Sequence, residues 1–291
     1  MRKGMIVLAL ALIIPVLACA DVTIKEKTTV QGFMGMFTSE GTEVTYIKAD
    51  KFRNESEVER SGMVNPTPIE DPPPRVTIVR LDKDLMWRVN LKDKTYQEIS
   101  LEEMEEAAAD RARFKIVDVK IKVTGETKEI AGRECEGVST EITFEVDTGD
   151  EVMAQTMNIL FWMTDNTEGL EEMRTFWHES LKLAQGQTQE YPIWDALEKM
   201  WEEKEGFEGV PMGMEVTMDV AVDDEQKAEI QQAVKEMLRA RTGKEDAGNA
   251  EDQASGMKMV REIVSISEEK LDDSLFEIPE GFKRAARIRM W

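Results

Sequence analysis

Three short stretches carry residue types that could do chemistry. VDTG, residues 146 to 149, sets an aspartate after an apolar residue and before Thr and Gly, the pattern by which two carboxylates come to share a proton in acid proteolysis. The chain holds one copy, followed by Asp150 instead of a small residue, so a hairpin turn is the better reading. Cys135 lies in GRECEG between Glu134 and Glu136, and two adjoining carboxylates should raise the thiol pKa and suppress the thiolate. His178 is the only histidine, so a nucleophile and base would have to be Cys135 with His178, and a zinc site lacks ligands. There is no phosphate-binding glycine loop and no dinucleotide fingerprint. The expectation is a protein that is not an enzyme, with no catalytic residues, cofactor or metal.

The other distinctive chemistry is apolar. The chain has nineteen methionines, and Trp162, Trp177, Trp194 and Trp201 are four of its six tryptophans. They suit a core between helices and a sheet, and equally a deformable pocket for an apolar guest. Pattern alone leaves both open.

Residues 1 to 20 have the three parts of an export signal: Arg2 and Lys3, an apolar run from Met5 to Ile14, then Pro15 and small residues. Ala18 and Ala20 bracket Cys19 as a cleavage site, which favours cutting after Ala20. The alternative is cutting before Cys19 and attaching lipid to it, although Leu17 fits that site poorly. Either route removes Cys19 as a partner for Cys135, the only other cysteine. The protein is expected to be extracytoplasmic, in the periplasm or cell envelope, and at the membrane only if Cys19 is lipidated. Without Arg2 and Lys3 the chain has 35 basic and 59 acidic residues, and such an acidic protein repels nucleic acid and anionic lipid surfaces.

The elements that would position these residues are mostly strands. Val117, Val119, Ile121 and Val123 alternate with polar residues, as do Ile142, Phe144 and Val146, and Met214 through Val222. Weaker alternation covers about 22 to 37, 42 to 49, 51 to 59, 75 to 82, 85 to 91, 94 to 99, 150 to 163 and 257 to 269. Turns are expected at SEGT (39 to 42), LDKD (81 to 84), LKDK (91 to 94) and DTGD (147 to 150). A capping box, Ser100 with Glu103, opens a helical stretch. Leu170, Met173, Phe176, Trp177, Leu181 and Ala184 make one helical stripe and Ile193, Trp194, Leu197, Met200 and Trp201 another, a helical insertion over about 165 to 210. A further helix covers about 224 to 241. Residues 61 to 74 hold five of the nine prolines and form an extended linker, and 242 to 256 is expected to be a disordered loop. Together these make residues 21 to 291 a single α+β domain built on a long antiparallel sheet.

Three stretches, TEVTYIKADKFRNESE (42 to 57), TIVRLDKDLMWRVNLKDKTYQEIS (77 to 100) and LDDSLFEIPEGFKR (271 to 284), resemble a family of exported bacterial domains of unknown function within the LolA-like lipoprotein-carrier superfamily. The likeness rests on the step Lys51, Phe52, Arg53, on the hairpin Thr77 to Trp87, and on Phe276, Pro279 and Gly281. It implies a curved, incomplete β-barrel whose concave apolar face is lidded by helices. Where carriers have a lid-latching arginine this chain has Lys48 and Ala49, so that latch is not carried over. The implied function is binding of a lipid, acyl chain or other apolar ligand in the concavity, with Phe52, Trp87, Phe144 and Met218 as lining residues. The alternative is an envelope-assembly module whose partner is an envelope protein and which takes no small ligand.

Overall fold

The computed structural model describes residues 21–32, 37–62, 74–103, 114–147, 152–166, 209–218 and 256–285, together with Leu170, Met173, Arg174, Gln232 and Glu236. The expected export signal, most of the expected helical insertion with His178, and residues 242 to 255 lie outside the described residues. Of the helix at Ser100 only its start is described. There the Glu103 N–H donates to Ser100 Oγ at 3.1 Å, and the Ser100 N–H donates to the Glu103 carboxylate at 3.0 Å, the reciprocal pair the sequence encodes.

The strands are β1 (Val22–Gln31), β2 (Phe37–Lys48), β3 (Lys51–Gly62), β4 (Arg75–Arg80), β5 (Leu85–Asn90), β6 (Thr95–Ser100), β7 (Phe114–Ile130), β8 (Arg133–Asp147), β9 (Val152–Thr164), β10 (Val210–Met218), β11 (Met257–Ser267) and β12 (Lys283–Arg284). They form one curved, open sheet in the order β12-β6-β5-β4-β3-β2-β1-β11-β10-β9-β8-β7. Every pairing is antiparallel except that of β12 with β6. The barrel is thus open, because its edge strands β12 and β7 do not meet.

Two expected boundaries move. SEGT is no turn: it runs inside β2, where Ser39, Glu40, Gly41 and Thr42 pair with both β1 and β3. A small polar stretch reads as a turn in isolation, but here partners on both sides take its backbone groups. The connection falls instead after Gln31, dividing the expected strand at 22 to 37. LDKD and LKDK do turn the chain, the first as a one-turn 3-10 helix (Leu81–Lys83) ended by Asp84 in the left-handed region. At DTGD, Asp147 pairs with Val152 as β8 passes into β9, which supports the hairpin reading of that motif.

Residues paired across antiparallel strands project from one face, and neighbours along a strand from opposite faces. Register therefore sorts every side chain onto one of two faces. The front face carries Ile24, Ile47, Phe52, Val79, Met86 and Ile99 on one half of the sheet. On the other half it carries Met214, Val216, Phe161, Ile159, Ile142 and Phe144. The rear face carries Val76, Ile78, Trp87 and Val89 on the first half and Leu160 and Trp162 on the second.

Candidate functional site

The front face of β7 to β10 is a continuous apolar surface. Val138, Ile142, Phe144, Met157, Ile159 and Phe161 are each at most 2% exposed, with Met163, Met214 and Val216 in the same cluster and Met218 and Met259 packed against it. The alternation read from the sequence puts these residues on one side, and the hairpin registers of β8 with β7 and β9 align them in rows. Five of the cluster's side chains are methionine, unbranched and polarisable, so the surface adapts to irregular shapes.

A charged belt adjoins this cluster. Glu26, Glu43, Thr45, Asn54 and Arg261 all face front, and Arg261 is the direct register partner of Met214. Arg261 donates to Glu26 through Nε at 3.1 Å and through Nη2 at 2.6 Å, a bidentate pair, and reaches Glu43 at 3.4 Å. Asn54 Nδ2 donates to Glu43 and, at 3.1 Å, to Thr45 Oγ1. Glu26 is buried despite its charge. Sequence reasoning missed this belt because in period-two alternation a buried Glu looks the same as a solvated one. The only available signal was that Glu26 continues the inward parity of Val22 and Ile24 on β1.

The rear face is closed by two different devices. Over the first half lies the segment 271 to 282, with Leu271 and Phe276 packed against Val76, Ile78, Trp87 and Val89. Basic residues at the ends of β2, β3 and β4 hold it. Lys48 Nζ donates to the Leu271 carbonyl at 2.7 Å, Lys51 Nζ to Asp273 at 2.8 Å and Arg53 Nη1 to the Leu275 carbonyl at 2.9 Å. Arg80, itself buried, binds Asp82 through two nitrogens at 2.7 and 2.6 Å and also reaches Glu277 and the Phe276 carbonyl. The Asp82 carboxyl is held below its usual range by the hydrogen bond from Arg80. Burial pushes the Glu277 carboxyl up, but hydrogen bonds from Arg80 and Lys83 outweigh it and leave the group below its ordinary value. The motifs that carry the family resemblance thus meet in space as one clasp, and Lys48 serves in it.

Over the second half the tip of the β7–β8 hairpin curls across the rear. Lys128 of β7 pairs with Glu262 of β11, three strands inward of β8, and stands 5.5 Å from the Trp162 ring. Ile130 packs so near Gly213 that a Cβ there would meet it at 3.1 Å. Cys135 is buried beneath this tip, and burial raises its thiol pKa while the nearby Arg133 and Lys128 act the other way. The sequence expected a raised thiol pKa too, but from Glu134 and Glu136, which as strand neighbours project from the opposite face.

Three of the four expected lining residues, Phe52, Phe144 and Met218, share the front face, although Phe52 packs in a separate cluster with Ile24 and Ile47. Trp87 lies on the rear, buried under Phe276, with Nε1 donating to Glu98 at 2.9 Å. Of the helical stripe that begins at Leu170, Leu170 and Met173 are fully buried with Trp162 and Val210. Among the described residues, no group of three His, Cys, Asp or Glu side chains is placed to hold a metal ion, and no helix is long and apolar enough to cross a membrane.

Residues 31–248 match the family described as "Domain of unknown function (DUF4412)", and the chain belongs to that family. No curated protein matches the chain. Among solved structures it is similar to a domain from Vibrio parahaemolyticus provisionally described as an outer membrane lipoprotein-sorting protein domain, at 6% identity, 89% of each chain and a TM-score of 0.32. It is also similar to a DUF1329 family protein from Desulfovibrio piger, at 10% identity, 89% of this chain, 90% of that one and a TM-score of 0.23.

Proposed function

We propose that this is an exported, non-enzymatic protein that holds a lipid, acyl chain or other apolar ligand against the front face of β7 to β10. The observation that carries the reading is the methionine-lined cluster around Phe144 and Met157, which runs across one side of four strands and meets polar residues at Arg261. Burying large apolar groups there contributes about 1.5 to 3 kcal/mol for each fully covered side chain's worth of contact. Phe144 and Met218 are the lining residues, Phe52 lies on the same face in the neighbouring cluster around Ile24 and Ile47, and Trp87 supports the sheet from behind. Since these side chains are already buried in the folded chain, a ligand must displace contacts they make there, and binding is coupled to that exchange.

The same near-zero exposure favours a second reading, in which the front face is plain core and the protein works as an envelope-assembly module through its acidic exterior. Native mass spectrometry after detergent-free purification separates the two. Co-purified lipid, reduced in Phe144→Ala and kept in Trp87→Phe, is the expected result, whereas protein that is always empty and binds no added fatty acid supports the module. The intact mass of the exported form also decides between cleavage after Ala20 and lipid on Cys19.

A further inference from the structure

Thr140 is the exception inside the front cluster. It is fully buried on β8, and its register partners on the front face are Ile121 of β7 and Ile159 of β9, with Val138 and Ile142 before and after it on the same side. Its Oγ1 is the one buried side-chain oxygen or nitrogen, among the described residues, with no hydrogen-bond partner. The strands on both sides already take the local backbone groups, and the two register partners and the two same-face neighbours along β8 are all hydrocarbon. Valine has the same branched shape, would fill the same volume and would leave no hydroxyl stranded away from water. A donor in an otherwise apolar wall is what a site needs to orient a mainly apolar ligand carrying one acceptor.

We propose that the Thr140 hydroxyl is the polar anchor of the ligand site, donating to the carbonyl oxygen of an acyl group, either an ester or a free carboxyl, whose chain lies along the surrounding apolar rows. The inference rests on the apolar-ligand reading above and adds the ligand class to it. It fixes depth as well as chemistry, because the carbonyl must reach the middle of the four-strand face and the chain is enclosed with it.

The test compares wild type, Thr140→Val and Thr140→Ser as full-length mature protein, stripped of lipid. The probes are methyl palmitate, palmitic acid and hexadecyl methyl ether, which keeps the chain and lacks the carbonyl. In Thr140→Val the expected result is a loss of affinity of about fivefold to tenfold for the ester, the acid or both, with ether binding unchanged. Whichever carbonyl probe loses more names the source. Thr140→Ser should keep the preference, and unliganded Thr140→Val should melt higher than wild type. If Thr140→Val does not fold, Thr140→Ala against Thr140→Ser gives the same comparison. Unchanged ester and acid affinities with all probes bound would overturn the anchor alone, as would an unliganded valine variant that melts lower, since the hydroxyl would then have a partner already. Wild type that binds none of the three probes overturns the apolar-ligand reading, and the anchor with it.

Discussion

At the scale of single residues, Arg80 shows how much one buried cation can hold. It joins Asp82 beside it in sequence to Glu277 and the Phe276 carbonyl nearly two hundred positions away. Replacing it with methionine keeps the apolar stem but strips Asp82 of its guanidinium partner and leaves Glu277 with Lys83 alone, so urea denaturation should show a loss of about 2 kcal/mol at neutral pH. The pH dependence has a definite sign. Asp82, Asp273 and Glu277 titrate lower in the folded chain than in the unfolded one, so their contribution is complete above the ordinary carboxylate range and disappears as pH falls through the lowered values. Lys51 titrates higher when folded through its hydrogen bond to Asp273, so its share is present below about 10.5 and is lost above that in alkali. Stability of the wild type should therefore fall below about pH 4, and Arg80→Met should flatten that fall. An acid slope unchanged by the substitution would mean that the clasp is not its source. None of this was legible locally, since the Lys48, Lys51, Arg53 and Arg80 alternation gives charge and parity but not the distant carbonyls that receive them.

At the scale of elements, the strands were readable and their faces less so. Period-two alternation marks nearly every strand, because an antiparallel sheet with different environments on its two sides imposes that period. It did not assign Trp87, since Trp87 and Met86 are neighbours and the LDKD turn decides which of them faces Phe52; a shift of one residue exchanges the faces. The start of β8 was also hidden, as Arg133 to Glu136 is too polar to show that Cys135 is covered by the curling hairpin tip. Two predictions belong here. Phe276→Ala empties the space over Trp87 and should cost about 3 to 5 kcal/mol. Hydrogen exchange should accelerate in β4 to β6, with β8 and β9 remaining protected; uniform acceleration would show that the clasp serves the whole sheet and not its own half. In the belt, Arg261→Met leaves Glu26 buried without its bidentate partner and Glu26→Met leaves Arg261 only the longer contact to Glu43, so each should be destabilising, while the double variant should recover part of the loss. A double-mutant cycle in denaturant should give a coupling of about 2 kcal/mol or more, and simple additivity would refute the pairing as drawn.

At the scale of the whole molecule, the sheet is one continuous ladder whose two halves are closed at the rear by different means, the segment 271 to 282 on one and a folded hairpin on the other. Much of this was predictable as a class, since alternating strands without the helical crossovers of a parallel sheet leave few architectures. The junction was not, because nothing local tells β1 that its second partner is β11. That junction governs how the molecule can come into being. Thr23 lies opposite Ser267, so the first strand waits at an unfinished edge until the last long strand arrives from more than two hundred residues away. Contacts so remote in sequence make for slow folding, and they postpone it to the end of synthesis. A chain threaded outward from its amino end would emerge with β1 and β2 displayed as an open template, prone to pair with other chains. Refolding from urea should accordingly be slow, with the β1 and β11 amides protected last. A newly made chain stopped before Met257 should be held by chaperones or aggregate, whereas one stopped after Phe282 should release itself.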